Sequence, residues 1–221
     1  MRRPLPDLSL YLIAGPADTL GRPVRDVVMA AVAGGVSVVQ LRWKEHSTRE
    51  FVELGRALLA ELREAGVPLI VNDRVDVAMA IDADGVHVGQ DDMQVEDVRR
   101  LAGDRMLVGL SVTSMADVAG VDPRLVDYAG VGPVFATGSK ADATVPLGLD
   151  GTREVVSALK VPAVAIGGIT LANAARVMST GVNGLSLISA IAGREDPGGA
   201  AVELRTLIRE VGAAGPTEVG R

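Results

Sequence analysis

The 221-residue sequence predicts an α/β chain folded as a single-domain (β/α)8 TIM barrel, and three observations lead there. Short, apolar, β-rich runs alternate with helically spaced segments from end to end. Eight such pairs fit in a length that one barrel domain commonly fills. The residues after the first run read Ala14-Gly15-Pro16-Ala17-Asp18, which lacks the glycine fingerprint of the rival doubly wound sheet.

Taken in order, strands are expected at 8–14, 36–41, 69–72, 85–88, 106–110, 128–131, 163–166 and 184–187. Each is nearly all apolar, as befits strands covered on both faces. Helices are expected at 25–33, from Ser47-Thr48 onward, and at 75–81, 94–101, 114–121, 151–159, 171–179 and 200–211. In the second helix Thr48, Phe51, Leu54, Leu58 and Leu62 recur at helical spacing. Ser47, with Glu50 three residues later, makes a capping box at its start. No linker interrupts the pattern, so the barrel is expected over 1–211. The Gly/Ala-rich stretch 212–221 is expected to be a frayed, flexible tail.

Composition narrows the function. Hydrophobic residues make up 48% of the chain and mean hydropathy is +0.30, enough for one large core. Aromatics are only 2%, so Val, Leu, Ile and Ala must build that core, and stacking platforms for bases are lacking. A net charge of −6 and a pI near 5.0 argue against a nucleic-acid surface. There is no cysteine, which excludes disulfides, thiolate metal sites and a cysteine nucleophile and is compatible with a reducing cytoplasm. The apolar run at 8–14 stops at Gly15-Pro16, unlike a signal peptide. No run reaches the roughly 20 apolar residues of a membrane span.

In a barrel the site lies where strands end and helices begin. Five clusters follow the apolar runs: Gln40-Leu41-Arg42-Trp43-Lys44, Asn72-Asp73-Arg74, Gly89-Gln90-Asp91-Asp92, Thr137-Gly138-Ser139-Lys140 and Gly167-Gly168. Period-2 alternation puts Gln40, Arg42 and Lys44 on one face, toward the mouth, and Leu41 and Trp43 on the other, toward the helices. Two solvated surface cations would fit the same spacing. Asp73 and Asp91 are expected to top adjacent strands, about 4.8 Å apart. Carboxylates that close repel unless a cation or a proton intervenes, and oxygen-only ligands with substrate phosphates suit Mg²⁺. Capping of the next helix is the competing role for Asp73. Asp76 and Asp92 read as helix-start or surface charges, with Asp92 in a position to assist the metal. Asn72 suits a turn or an anion donor.

The hydroxyls of Thr137 and Ser139 and the ammonium of Lys140 suit phosphate oxygens. They open a long segment of the kind that serves as a lid, flexible at Gly138 and Gly148; an ordinary polar loop is the alternative. Gly167-Gly168 closes the seventh strand and Leu187-Ile188-Ser189-Ala190 the eighth, where barrel phosphate sites recur. His87, inside a strand, reads as a core histidine. Ser111 reads as an anion donor or a loop hydroxyl. Two anion subsites, one cation-rich with a metal and one built from backbone amides, point to a two-substrate reaction joining a diphosphate to a monophosphate partner.

Several ordered motifs resemble thiamine phosphate synthase. They are Gln-Leu-Arg-x-Lys at 40–44, Asn-Asp-Arg-x-Asp at 72–76, Gly-Val-His-x-Gly-Gln-Asp-Asp at 85–92, Thr-x-Ser-Lys at 137–140, Ala-Ile-Gly-Gly-Ile at 165–169 and Ile-Ser-Ala-Ile at 188–191. The resemblance implies small-molecule substrates: 4-amino-5-hydroxymethyl-2-methylpyrimidine diphosphate and hydroxyethylthiazole phosphate, joined through a pyrimidine carbocation. It implies that Gln40, Leu41, Arg42, Trp43, Lys44, Asn72, Ser111 and Lys140 hold the pyrimidine diphosphate. Arg42, Lys44, Ser111 and Lys140 would be the catalytic groups, and Asp73 and Asp91 the Mg²⁺ ligands. Thr137, Gly138, Ser139, Gly168, Ile188 and Ser189 would hold the thiazole phosphate. A homo-oligomer is compatible with all of this. Two positions depart from the pattern: Ser139 replaces a second Thr, and Ala14-Gly15 replaces a Thr-Asp-like pair. A sister barrel, thiazole tautomerase, would keep the monophosphate site but need neither diphosphate nor metal site.

Overall fold

The computed structural model describes residues 3–44, 47–137 and 145–214. Eight parallel strands close on themselves in sequence order: β1 (Leu10–Ala14), β2 (Val38–Leu41), β3 (Leu69–Asn72), β4 (Gly85–Val88), β5 (Leu107–Val112), β6 (Tyr128–Val131), β7 (Ala163–Ile166) and β8 (Gly184–Leu187). The register sets Ile13 beside Gln40, Asn72 beside His87 and Ser111 beside Gly130, and it closes with Tyr11 beside Ser186. Around the barrel lie α1 (Val24–Ala33), α2 (Thr48–Glu64), α3 (Val75–Ile81), α4 (Val95–Ala102), α5 (Gly148–Ala158), α6 (Leu171–Met178) and α7 (Pro197–Ala214).

Alternation along the strands sorts the core into two parts. Leu10, Leu12, Val39, Leu41, Val86, Val88 and Val108 face outward and pack under the helices with Phe51, Leu58 and Leu62. Tyr11, Ile13, Val38, Ile70, Leu107, Tyr128 and Val164 face inward and fill the barrel. An eight-strand barrel is only just wide enough for side chains, so its inward face has to mix large and small residues.

The capping box at α2 forms as expected. Glu50 N–H donates to Ser47 Oγ at 3.3 Å, and Ser47 N–H donates to Glu50 Oε2 at 3.0 Å. The helix expected at 114–121 does not form; a 3-10 turn, Ala116–Gly120, stands there instead. The Asp117 carboxylate accepts the N–H groups of Thr113 and Ser114 and the Thr113 hydroxyl, at 2.7, 3.0 and 2.8 Å. Local bonding of this kind competes with helix propagation, and Pro123 follows too soon for the chain to recover. Two helices begin earlier than expected: α5 starts at Gly148, and α7 starts at Pro197 with its first turn held by Gly199 N–H donating to Asp196 Oδ1 at 2.9 Å. The last helix also continues to Ala214, so 212–214, expected as tail, are helical, and the rest of the expected tail lies outside the described residues. Among the described residues no helix is long and apolar enough to cross a membrane.

One glycine fixes the layout of the interior. A Cβ on Gly109 would stand 2.3 Å from Tyr128 Cζ and 2.4 Å from His87 Nδ1, so the two rings occupy the space a side chain would need. Gly109→Ala is expected to cost about 1–3 kcal/mol, the usual price of overpacking a filled core. Urea unfolding checks it; an unchanged midpoint would show that the rings are not fixed by this strand.

Candidate active site

The site is assembled at the C-terminal ends of the strands. At β2, Gln40 is buried inside the barrel, and its Nε2 donates to Tyr11 Oη at 2.8 Å. Leu41 is buried in the outer layer, and Trp43 packs there with its ring 6.3 Å from that of Phe51, edge on. Both were expected among the substrate-binding residues; their side chains turn away from the mouth, which leaves only their main chain at the rim. Arg42 is half-buried and Lys44 exposed. Arg42 is pinned through its N–H, which donates to Ala14 O at 3.0 Å.

That contact explains the unusual Ala14-Gly15. A Cβ on Gly15 would come within 1.8 Å of Arg42 O, so only glycine lets the first loop lie against the second. The loop also delivers Asp18, which the sequence reading missed. Burial pushes its carboxyl above the ordinary range, while the Arg42 guanidinium and the Gly15 N–H pull it back. Asp18 therefore lies within reach of the Arg42 charge.

At β3, Asn72 is half-buried and borders the cavity at the top of the barrel interior, together with Gln40, His87 and Ser111. Asp73 takes a left-handed conformation, φ 60°, which aspartate tolerates better than most residues. Its N–H donates to His87 O on β4 at 2.8 Å. The N-terminus of α3 has no side-chain cap, so Asp73 is not spent there. Arg74 pairs with Asp76 through two contacts of 2.8 and 2.6 Å and also donates to Thr48 at 2.9 Å; these two charges serve each other.

The expected partner of Asp73 was Asp91. The structure instead turns Asp92 toward it. Asp92 Oδ2 accepts Gly89 N–H at 2.7 Å, folding the turn after β4 back on itself. Asp91 and Asp92 are both exposed, but Asp92 is the one that acts on Asp73. Burial, then the charge of the Asp92 carboxylate and a hydrogen bond with it, push Asp73 up to about 6, against the opposing pull of Lys44 and Arg42. Two acids and two cations thus meet at the ends of β2, β3 and the β4 turn. Among the described residues no group of three or more acids, His or Cys is present. Mg²⁺ needs only one or two carboxylates when substrate phosphates and waters complete its shell, so the donor set fits that ion.

Ser111, on β5, is half-buried. Its Oγ lies 3.0 Å from His87 Nε2, and its carbonyl accepts Gln90 Nε2 at 2.6 Å. His87 is buried as expected, yet it belongs to the wall of this cavity rather than to the outer core. Across the mouth, Gly168 has φ 62°, and a Cβ there would stand 2.7 Å from Phe135 Cβ and 2.8 Å from Ala136 O. The strand-7 turn therefore lies directly under the segment that reaches Thr137, held by Phe135 N–H donating to Gly167 O at 3.1 Å. Ile188 is buried and Ser189 exposed in the turn after β8, the strand that pairs with β7. Gly138, Ser139 and Lys140 lie outside the described residues.

Residues 10–191 match the family model described as thiamine monophosphate synthase. The chain belongs to the thiamine monophosphate synthase family. Among its relatives is the thiamine-phosphate synthase of Chloroflexus aurantiacus, 48% identical over 202 residues that cover 91% of this chain and 93% of that one. The Moorella thermoacetica thiamine-phosphate synthase is 44% identical over 204 residues, 92% of this chain and 97% of that one. A solved structure of thiamine phosphate pyrophosphorylase from Pyrococcus furiosus superimposes with a TM-score of 0.85 at 40% identity, covering 93% of this chain and 97% of that chain.

The raised Asp73 has a consequence for stability. Its folded-state pKa of about 6 lies above the ordinary 3.8, so the folded chain holds this proton more tightly than the unfolded chain does. Without metal, the stabilisation is complete at low pH and is lost as pH rises from about 4 through about 6. Asp73→Asn is expected to remove this loss and leave the metal-free protein more stable than the parent at neutral pH. Urea unfolding at several pH values reads it; parallel pH curves for the two proteins would contradict the facing pair.

Proposed function

We infer that this protein is a thiamine phosphate synthase, joining 4-amino-5-hydroxymethyl-2-methylpyrimidine diphosphate to hydroxyethylthiazole phosphate and releasing diphosphate, with Mg²⁺ as its metal. The observation that carries this reading is the Asp73–Asp92 pair facing Arg42 and Lys44. Like-charged carboxylates placed side by side and next to cations suit a metal-bound diphosphate. Asp73 and Asp92 would hold the ion, which would supply positive charge to the diphosphate.

The chain's own residues do the rest by position and charge. Arg42 and Lys44 present fixed positive charge to the diphosphate oxygens, and Lys140 is assigned the same task from the loop. Gln40, Asn72 and Ser111 border the cavity at the top of the barrel and orient the pyrimidine. Gly168, Ile188 and Ser189 hold the thiazole phosphate on the opposite side, and Thr137 and Ser139 are assigned the same ligand. Diphosphate is a good leaving group, so no strong general acid is needed. The C–O bond breaks toward the cation-lined side, and the thiazole nitrogen attacks the exposed pyrimidine methylene carbon. Donors and charges fixed before the reaction begins account for most of the acceleration. The cytoplasm is the proposed place of work for these anionic substrates.

Mixing both substrates with Mg²⁺ and following thiamine phosphate tests the assignment directly; no product at saturating substrate would end it. The metal ligands are tested separately. Asp92→Ala is expected to lower kcat/KM by about a hundredfold or more, as is Lys140→Ala, the scale of losing one charge stabiliser. Asp91→Ala is expected to stay within a few-fold of the parent. A large loss in Asp91→Ala with none in Asp92→Ala would reverse the ligand assignment.

A further inference from the structure

We propose that Gln40, Tyr11, Tyr128 and His87 form a hydrogen-bond relay of fixed polarity that leaves the hydroxyl proton of Ser111 for the pyrimidine substrate. The inference rests on the reaction assigned above and adds three positioning residues to it.

The relay crosses the barrel interior from β2 to β5. Gln40 Nε2 donates to Tyr11 Oη at 2.8 Å. Tyr11 Oη and Tyr128 Oη are 2.8 Å apart. Tyr128 Oη lies 3.1 Å from His87 Nδ1, and His87 Nε2 lies 3.0 Å from Ser111 Oγ. All but Ser111 are buried. Burial also pushes both phenols far above their ordinary range, so each stays an O–H donor with one proton to place.

Counting protons gives the direction. An amide NH2 cannot accept, so the Tyr11 proton cannot return to Gln40 and goes to Tyr128. The Tyr128 oxygen is then an acceptor on that side, and its own proton goes to His87 Nδ1. With Nδ1 accepting, the neutral ring carries its proton on Nε2 and donates it to Ser111 Oγ. The Ser111 hydroxyl proton is thereby not used within the relay. Were the Gln40 amide turned over, its oxygen would accept from Tyr11, every link would reverse, and Ser111 would donate to His87 instead. Gln40 therefore sets the polarity: which end of its amide meets Tyr11 decides the direction of every link, and the His87 tautomer follows.

The polarity matters for recognition. Gln90 holds the Ser111 carbonyl at 2.6 Å, so the backbone that carries the hydroxyl is fixed as well. A Ser111 that offers its proton matches an acceptor, meaning a pyrimidine ring nitrogen or a diphosphate oxygen, in preference to the exocyclic amine. Tyr11, Tyr128 and His87 touch no reacting atom; they act through Ser111.

The test is ¹⁵N NMR of histidine-labelled protein, in which the two imidazoles are assigned by comparison with His46→Gln. The unaltered protein is expected to show His87 protonated at Nε2 and bare at Nδ1. Gln40→Glu, whose carboxylate accepts from Tyr11, is expected to move the proton to Nδ1. A proton on Nδ1 in the unaltered protein overturns the proposal even if that variant does not fold. Kinetics gives a second reading. Tyr128→Phe is expected to lower kcat/KM about tenfold, the scale of one hydrogen bond, and the loss should vanish in a Ser111→Ala background. Additive losses, or full activity in Ser111→Ala, would mean the rings serve only to fill the barrel. Thiamine phosphate formation by the unaltered protein is measured in the same assay, so a failed relay is not mistaken for a wrong reaction.

Discussion

The functional side chains that line the cavity are placed by the two-residue period of strands in a closed barrel. Gln40 lies inward because Leu41 must lie outward under the helices, and Arg42 continues the inward row to the mouth. The same parity seats Tyr11 and Ile13, His87, Ser111 and Tyr128 inside. A slip of one residue in any strand would carry its polar group into the outer apolar layer and an apolar one into the cavity. Closure makes such a slip costly, because each strand is held in register on both sides.

The interior is narrow, so large residues there impose small ones. Two tyrosines meet at the centre with ring centroids 5.9 Å apart, and His87 lies 5.5 Å from Tyr128. They fit because glycine stands at 109. The same steric rule acts at the rim, where Gly15 lets the first loop rest on Arg42. Packing and electrostatics are linked at that point: the close approach that needs a glycine is also what brings Asp18 within reach of the guanidinium charge.

Much of this was legible in the sequence. Apolar runs bounded by turn residues marked all eight strands, and alternation alone sorted Gln40 and Arg42 from Leu41 and Trp43. Other features were not legible, for identifiable physical reasons. The choice between Asp91 and Asp92 depends on how a tight turn folds after β4, which two adjacent carboxylates do not encode. The absent helix after β5 depends on Asp117 bonding back to Thr113, a local competition that helical spacing conceals. His87 looked like core because it is core; its role comes from Tyr128, 41 residues away, and no local pattern links them. A weak signal for Asp18 did exist, since an acid follows Gly15-Pro16 in the first loop, but only the glycine's contact gives it meaning.

The segment between β6 and α5 leaves and rejoins the barrel at nearly one point. Leu147 N–H donates to Pro133 O at 2.8 Å, and Gly148 N–H donates to Val134 O at 2.9 Å. With its two feet clamped side by side, the length of chain between them has little bearing on the barrel's stability; doubling a loop's length adds only about 0.6 kcal/mol of closure entropy. Evolution can therefore lengthen, shorten or rewrite this span to suit a substrate while the scaffold beneath stays unchanged.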